Sequence, residues 1–336
     1  MTTSPPSVPT SHTTAEVDAS TAADRRRLRT LGVLPPTVLL IVGSVLLVPN
    51  FTARANLTDL LSTMAVVGFV AIGMTFVVAS GNFVDLSVVA QIGLAAVCAV
   101  ALQDHGVVTA LAVGLLACIA FGTVNGLAVA VLGGNPVIVT LATTTIGAGL
   151  LTLATRSTLY QGQSEGFRAF GSWRLSVVPV GAVLLVVALV LAHLLLTRGA
   201  YGRRVRLAGS NPRFARVAGI NVPRTVVGCF VAASVGSWAA GVLLAGYSDT
   251  AYGTIGRGYE FDALAAVVIG GNSLFGGRVS IARTALGLVL VGVLANILPL
   301  TGMPYEAQTI CKGLVVVVAV VVDTLTSRST ASKGRR

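Results

Sequence analysis

Residues 198–224 read RGAYGRRVRLAGSNPRFARVAGINVPR, a basic island between long apolar runs. Its reading decides the architecture, because a polar stretch flanked by membrane-length runs sits at a membrane surface. Within it Asn211 suits an N-cap. Pro212 suits the first helical position, where its missing N–H removes no bond, and Gly219 suits a left-handed C-cap. The pattern predicts a short helix over Pro212–Ala218. Phe214, Val217 and Ala218 then fall at i, i+3, i+4 spacing and form one small apolar face, with Arg213 and Arg216 pointing elsewhere. Such a face cannot bury itself and needs either the membrane interface or another protein. It therefore has two readings: an ordinary positively charged inner loop, or a docking helix for a cytoplasmic partner built from Asn211, Pro212, Arg213, Phe214, Arg216, Val217 and Gly219.

The whole chain has 336 residues, 54% hydrophobic and 10% charged, against about a quarter charged in soluble domains. That composition marks an all-α, polytopic membrane protein. The formal charge of +11 is not interleaved with a soluble fold but gathered in loops between apolar runs, which argues against a nucleic-acid partner. Cys98, Cys118, Cys229 and Cys311 lie in apolar runs without metal-ligand spacing and read as packing residues, so no metal site is predicted. The chain has no GxxxxGK[ST] loop, HExxH or GxSxG motif, hence no nucleotide-binding motif, no catalytic residues and no cofactor of its own.

Residues 1–30 carry a Ser/Thr/Pro-rich stretch and then a basic cluster, Arg25, Arg26, Arg27 and Arg29, and are expected to form a disordered cytoplasmic tail. A membrane-spanning apolar domain is expected over 31–325, and residues 326–336 form a second basic tail expected on the same side. Ten apolar segments are predicted: Leu31–Val48, Leu60–Ala79, Leu86–Leu102, Val107–Leu132, Pro136–Ala154, Val177–Leu196, Thr225–Tyr247, Phe261–Gly271, Thr284–Leu300 and Ala307–Val322. With ten spans and the N-terminus inside, both basic tails, the 198–224 island, Arg278 and Arg283 all face the cytoplasm. Only Arg54, Arg156, Arg168, Arg174 and Arg257 fall outside, as positive-inside asymmetry requires. The longest outer loop, Thr155–Ser176, holds Tyr160, Phe170 and Trp173, which suit an interfacial amphipathic segment.

The eighth segment is short. Eleven residues at 1.5 Å each cover about 16 Å, roughly half of a ~30 Å hydrocarbon core, so Phe261–Gly271 is predicted to be a broken helix. A similar interruption occurs at Ser80–Ser87, SGNFVDLS. The two share wording, VVASGN at Val77–Asn82 and VVIGGN at Val267–Asn272, as a parallel internal repeat would produce. Broken backbone at membrane depth must border protein or a water-filled cavity, which nominates Asn82, Asp85, Ser87 and Asn272 for a translocation path. Asn125, Asn135, Thr140 and Asn296 join them as neutral polar groups suited to an uncharged polyol. Interhelical hydrogen bonding is the simpler role for any one of these. Asp85 and Asp262 are also placed to cap the segments that follow them. Without a chain of buried carboxylates there is no proton or sodium relay, which disfavours an ion-coupled carrier acting alone.

Five blocks carry a family resemblance: VAIGMTFVVASGNFVDLSV, GNPVIVTLATTTIGAGL, RLAGSNPRFARVAGINV, YEFDALAAVVIGGNSLFGGRVSI and TGMPYEAQTICKGLVVVVAV. In this order, between about Leu57 and Val322, they resemble the permease subunits of bacterial ATP-binding-cassette importers for simple sugars, of the ribose, xylose and galactofuranose type, and the last block looks most like the galactofuranose type. The resemblance implies a subunit of about ten transmembrane helices in the inner membrane, with both termini cytoplasmic, that pairs with a second copy or a paralogue. It also implies an ATPase subunit, carrying ATP and Mg, seated against the Asn211–Asn221 loop, and an extracytoplasmic sugar-binding protein. SGNFVDLSVV departs from the family's GGIDLSVG by one extra residue and by Val89 in place of its second glycine. The resemblance thus speaks to the class of protein more than to its sugar.

Overall fold

The computed structural model describes residues 33–274, 276–277, 279–304, 306–314, 317–318 and 321. The two basic tails, Arg278 and the end of the tenth segment lie outside the described residues. The described residues are mostly helical: α1 (Val33–Leu47), α2 (Arg54–Ala79), α3 (Val88–Ala101), α4 (Val107–Ala130), α5 (Pro136–Thr155), α6 (Glu165–Ser172), α7 (Val180–Thr197), α8 (Ala200–Ser210), α9 (Pro212–Val217), α10 (Val222–Ser248), α11 (Tyr259–Ile269) and α12 (Ile281–Leu300), followed by a helical stretch over 306–314.

Six of the predicted segments, now α2, α4, α5, α7, α10 and α12, form helices long and apolar enough to cross a membrane. The third segment is shorter than a full span, because α3 starts only at Val88 after a buried loop. The eighth is an 11-residue helix, as its sequence predicts.

Helices α2 and α10 form the centre. Their apolar windows are 67% and 61% buried, whereas that of α5 is 11% buried. Helix α10 packs on α2, α3 and α4, and α2 also meets α7, α11 and α12. With both faces covered by protein, α2 is apolar all round, and it reads like a membrane span although its neighbours are helices. The close approach depends on absent side chains. A Cβ on Gly236 of α10 would lie 2.4 Å from the Phe69 carbonyl oxygen of α2. Leu39, Leu46, Leu150, Leu153 and Leu191, on α1, α5 and α7, point outward.

The segment of residues 155–176 folds back on the protein. Strand β1 (Tyr160–Gln161) pairs antiparallel with β4 (Thr250–Ala251), and β2 (Arg174–Leu175) with β3 (Val178–Pro179). Between them Ser164 caps α6 through the Phe167 N–H. Phe167 is buried, Trp173 stays exposed, and Arg168 pairs with Asp249 at the end of α10 at 2.9 Å. The 155–176 segment is thus fastened to α10 by one face of its helix.

Candidate functional site

The two predicted interruptions end their helices in the same way. In α2, Gly81 adopts φ +84°, its N–H bonds the Val78 carbonyl at 3.0 Å, and the Asn82 N–H bonds that of Val77 at 3.4 Å. In α11, Gly271 adopts φ +83°, its N–H bonds Val268 at 2.8 Å, and the Asn272 N–H bonds Val267 at 3.3 Å. Both are Schellman terminations, which require a residue at ease in the left-handed region. The shared VVxxGN wording is therefore the local chemistry of one cap, used twice.

Beyond the caps the breaks diverge. Asn272 is fully buried. Its amide nitrogen donates to the Val267 carbonyl at 3.0 Å and to Thr284 Oγ1 at 2.9 Å, and its oxygen accepts the Ser280 N–H at 2.7 Å. Thr284 in turn meets Thr75 of α2 at 2.8 Å. Asn82 is only half-buried, and its amide donates locally to Ser80 Oγ at 2.8 Å.

Downstream of Asn82 lies a buried polar cluster. Asp85 Oδ1 accepts from the Ser87 backbone N–H at 2.9 Å and from the Ser87 hydroxyl. Ser87 Oγ accepts from Gln91 Nε2 and Asn125 Nδ2, each at 2.8 Å. All four residues are fully buried, yet Asp85 Oδ2, Gln91 Oε1 and Asn125 Oδ1 have no hydrogen-bond partner among the described residues. The structure thus brings Asp85, Ser87 and Asn125 together and adds Gln91, which sequence reasoning missed although it lies one helical turn after Ser87. Thr144 of α5 closes the same region by donating to the Leu86 carbonyl at 2.9 Å.

The other nominated polar residues lie elsewhere. Asn135 caps α5, accepting from Val137 and Ile138. Thr140 is buried and donates to the Pro136 carbonyl. Asn296 exchanges two amide hydrogen bonds with Asn56 of α2, at 2.9 and 3.0 Å. The capping roles need correction. Ser87, not Asp85, occupies the N-cap position of α3, and Asp85 acts from two residues before it. At α11 it is Glu260 that accepts the N-cap N–H of Gly258, at 2.7 Å. Asp262 instead forms an ion pair with Lys312 at 2.9 Å. Fifty residues separate the two, and no local pattern announces the pair.

The basic island of residues 198–224 contains two helices rather than one. Gly202, Val205 and Ala208 form the buried face of α8, a spacing visible in RGAYGRRVRLAGS but masked there by the arginines. Asn211 accepts the Phe214 N–H at 3.0 Å, and Pro212 opens α9, which ends at Val217. Gly219 at φ +77° completes a third Schellman termination: its N–H bonds Arg216, and that of Ile220 bonds Ala215. Ala215 faces the protein, while Arg213, Phe214, Arg216, Val217 and Ala218 are exposed, Phe214 at 59% and Val217 at 87%.

Helix α8 carries this exposed face onto the two breaks. A Cβ on Gly209 would lie 2.0 Å from the Ala79 carbonyl oxygen at the end of α2. One on Gly276, past the second break, would lie 2.7 Å from Gly81 Cα and 2.9 Å from the Gly209 carbonyl oxygen, and the Gly277 N–H bonds Ala79 at 3.3 Å. Three chain segments thus meet backbone to backbone two residues ahead of the Asn211 cap.

A family model described as "Branched-chain amino acid transport system / permease component" matches residues 56–320. The ribose import permease protein of Bacillus subtilis (strain 168) is 36% identical over 290 residues, covering 85% of this chain and 89% of that protein. The L-arabinose transport system permease protein of Escherichia coli (strain K12) is 33% identical over 304 residues, covering 87% and 89%. The galactofuranose transporter permease protein of the same strain is 34% identical over 273 residues, covering 79% and 78%. The expected galactofuranose-type likeness is therefore one of several. No solved structure matches the chain. With this model spanning most of its length and such relatives matched nearly end to end, the chain belongs to the permease-component family of membrane transport systems.

Proposed function

We propose that this chain is the membrane-spanning subunit of an ATP-driven importer that moves a simple sugar or related polyol into the cytoplasm. In this reading it has ten membrane segments, of which α3 and α11 are interrupted, and both termini are cytoplasmic. A second copy or a paralogue completes the pathway. A separate ATPase subunit binds ATP and Mg, and an extracytoplasmic sugar-binding protein delivers the substrate. The three relatives above are named for ribose, L-arabinose and galactofuranose, which supports the sugar class.

The observation that carries the reading is α9. A six-residue helix is too short to persist alone in water, yet this one is held by an N-cap, a proline at N1 and a Schellman stop while its apolar residues face outward. Phe214 then fits a groove on the ATPase, and Arg213 and Arg216 pair with carboxylates at its rim. The breaks and the Asp85–Ser87–Asn125 cluster border the path.

Reconstitution tests the reading. With its ATPase and binding protein, the chain is expected to accumulate at least one of radiolabelled ribose, arabinose or galactofuranose only when ATP is supplied. Uptake by this chain alone, driven by an ion gradient without ATP, would assign it instead to the ion-coupled carriers.

A further inference from the structure

We propose that the glycine junction of Gly81, Gly209 and Gly276 is the joint through which movement of α9 reaches both broken helices, with Gly209 as its positioning residue. The inference rests on the proposed coupling role of α9 and adds where the stroke goes. Helix α8 ends on Ser210, and Asn211 both ends α8 and caps α9, so no slack separates the exposed face from Gly209. Gly209 lies against the Ala79 carbonyl, and Gly276 lies against both Gly81 and Gly209.

No side chain cushions these contacts. A backbone-to-backbone contact transmits a displacement that flexible side chains would absorb, because close-packed elements pass strain to one another. The two helix ends are also tied across their length, through Thr75, Thr284 and Asn272. A push on α8 therefore displaces the ends of α2 and α11 together and leaves the loop after Gly81, with half-buried Asn82, free to answer it. The left-handed Gly81 and Gly276 hold conformations that other residues adopt only with strain. Gly209 has no such backbone constraint, so its lack of a side chain is required by the contact alone.

The test uses the full chain in a cysteine-free background, with Asn82→Cys as reporter and the co-purifying ATPase bound. The reporter's labelling rate with a small polar thiol reagent is measured with and without ATP, magnesium and vanadate. In the parent we expect trapping to change that rate by about tenfold, within the usual range of coupling between sites. Gly209→Ala is expected to retain the ATPase undiminished while the response falls below about twofold.

A second variant covers the case in which Gly209→Ala fails to fold. A Cβ at position 277 would lie 3.1 Å from Ser210 Cβ, near the separation that a disulfide bridges. Oxidised Ser210→Cys/Gly277→Cys, which ties together the two segments that the joint moves as one, should keep the response of its own dithiothreitol-reduced form. A full response in Gly209→Ala, or a response lost on oxidation and restored by dithiothreitol, would overturn the proposal. So would loss of the ATPase from Gly209→Ala, which would make Gly209 a docking residue, or a parent that binds the ATPase without responding. A parent that binds no ATPase would refute the coupling reading itself, and the joint with it.

Discussion

The two helix breaks share a cap and differ in what surrounds it. At the second break every polar atom of Asn272 is paired, and the loop is stapled to α2 and α12. At the first break Asn82 reaches only Ser80, and Phe83 sits at φ +46°, a region that bulky residues avoid. The cluster beyond it leaves three buried oxygens without partners among the described residues. A repeated sequence word thus produces one rigid joint and one polar, incompletely satisfied loop. Unsatisfied groups inside a protein are costly and persist where a function retains them, so the first break is the better candidate for contact with solvent or substrate.

Substitution at Asn272 should break this comparison most severely. Asn272→Ala orphans the Ser280 N–H, at about 1–3 kcal/mol for the unpaired group, and takes one bond of about 1 kcal/mol each from the Val267 carbonyl and the Thr284 hydroxyl, which keep the residue-272 N–H and Thr75 as partners, so the melting midpoint in detergent should fall strongly. Asn82→Ala, with only two local bonds to Ser80 at stake, should shift the melting midpoint only slightly. Equal losses at the two positions would erase the distinction.

The anchoring of α11 comes next. Lys312→Met leaves the Asp262 carboxylate, 8% exposed, without its partner, and breaking a buried pair costs about 3–5 kcal/mol. Since half-exposed Lys312 softens that, a loss near the lower end is expected in a detergent melt. Lys312→Met combined with Asp262→Leu should recover most of it. If the double variant is no better than the single one, the pair is not what fastens α11.

A smaller effect is expected at the first break. Ser87→Ala removes the hydroxyl that joins Asp85, Gln91 and Asn125, and should cost about 1–3 kcal/mol while Ser87→Thr costs less. A thiol at position 82 should also react with a small polar reagent in at least one transport state, and one at position 272 in none. Protection of both would make the two breaks equally structural.

The features legible in the sequence are local. A Schellman stop needs glycine at one position, and a helix start prefers Asn followed by Pro, so the caps at Gly81, Asn211, Gly219 and Gly271 show in a few neighbouring letters. The short eighth segment shows through its length. What stayed hidden joins distant residues: Asp262 with Lys312, Asn56 with Asn296, and Gly81 with Gly209 and Gly276. Helix α8 was overlooked for another reason. Its arginines outweigh a buried face of only Gly202, Val205 and Ala208, so it read as a loop.

We propose that the exposed face of α9 is the seat of an ATPase, and Phe214→Ala tests that seat most directly. Affinity-purified full-length chain carrying this substitution should insert and extract normally, because the Phe214 side chain is largely exposed. The amount of ATPase that co-purifies with it should fall by roughly thirtyfold in apparent affinity, the loss of about 2 kcal/mol expected for an interface anchor. Undiminished ATPase binding and ATP-driven uptake by Phe214→Ala would contradict the claim.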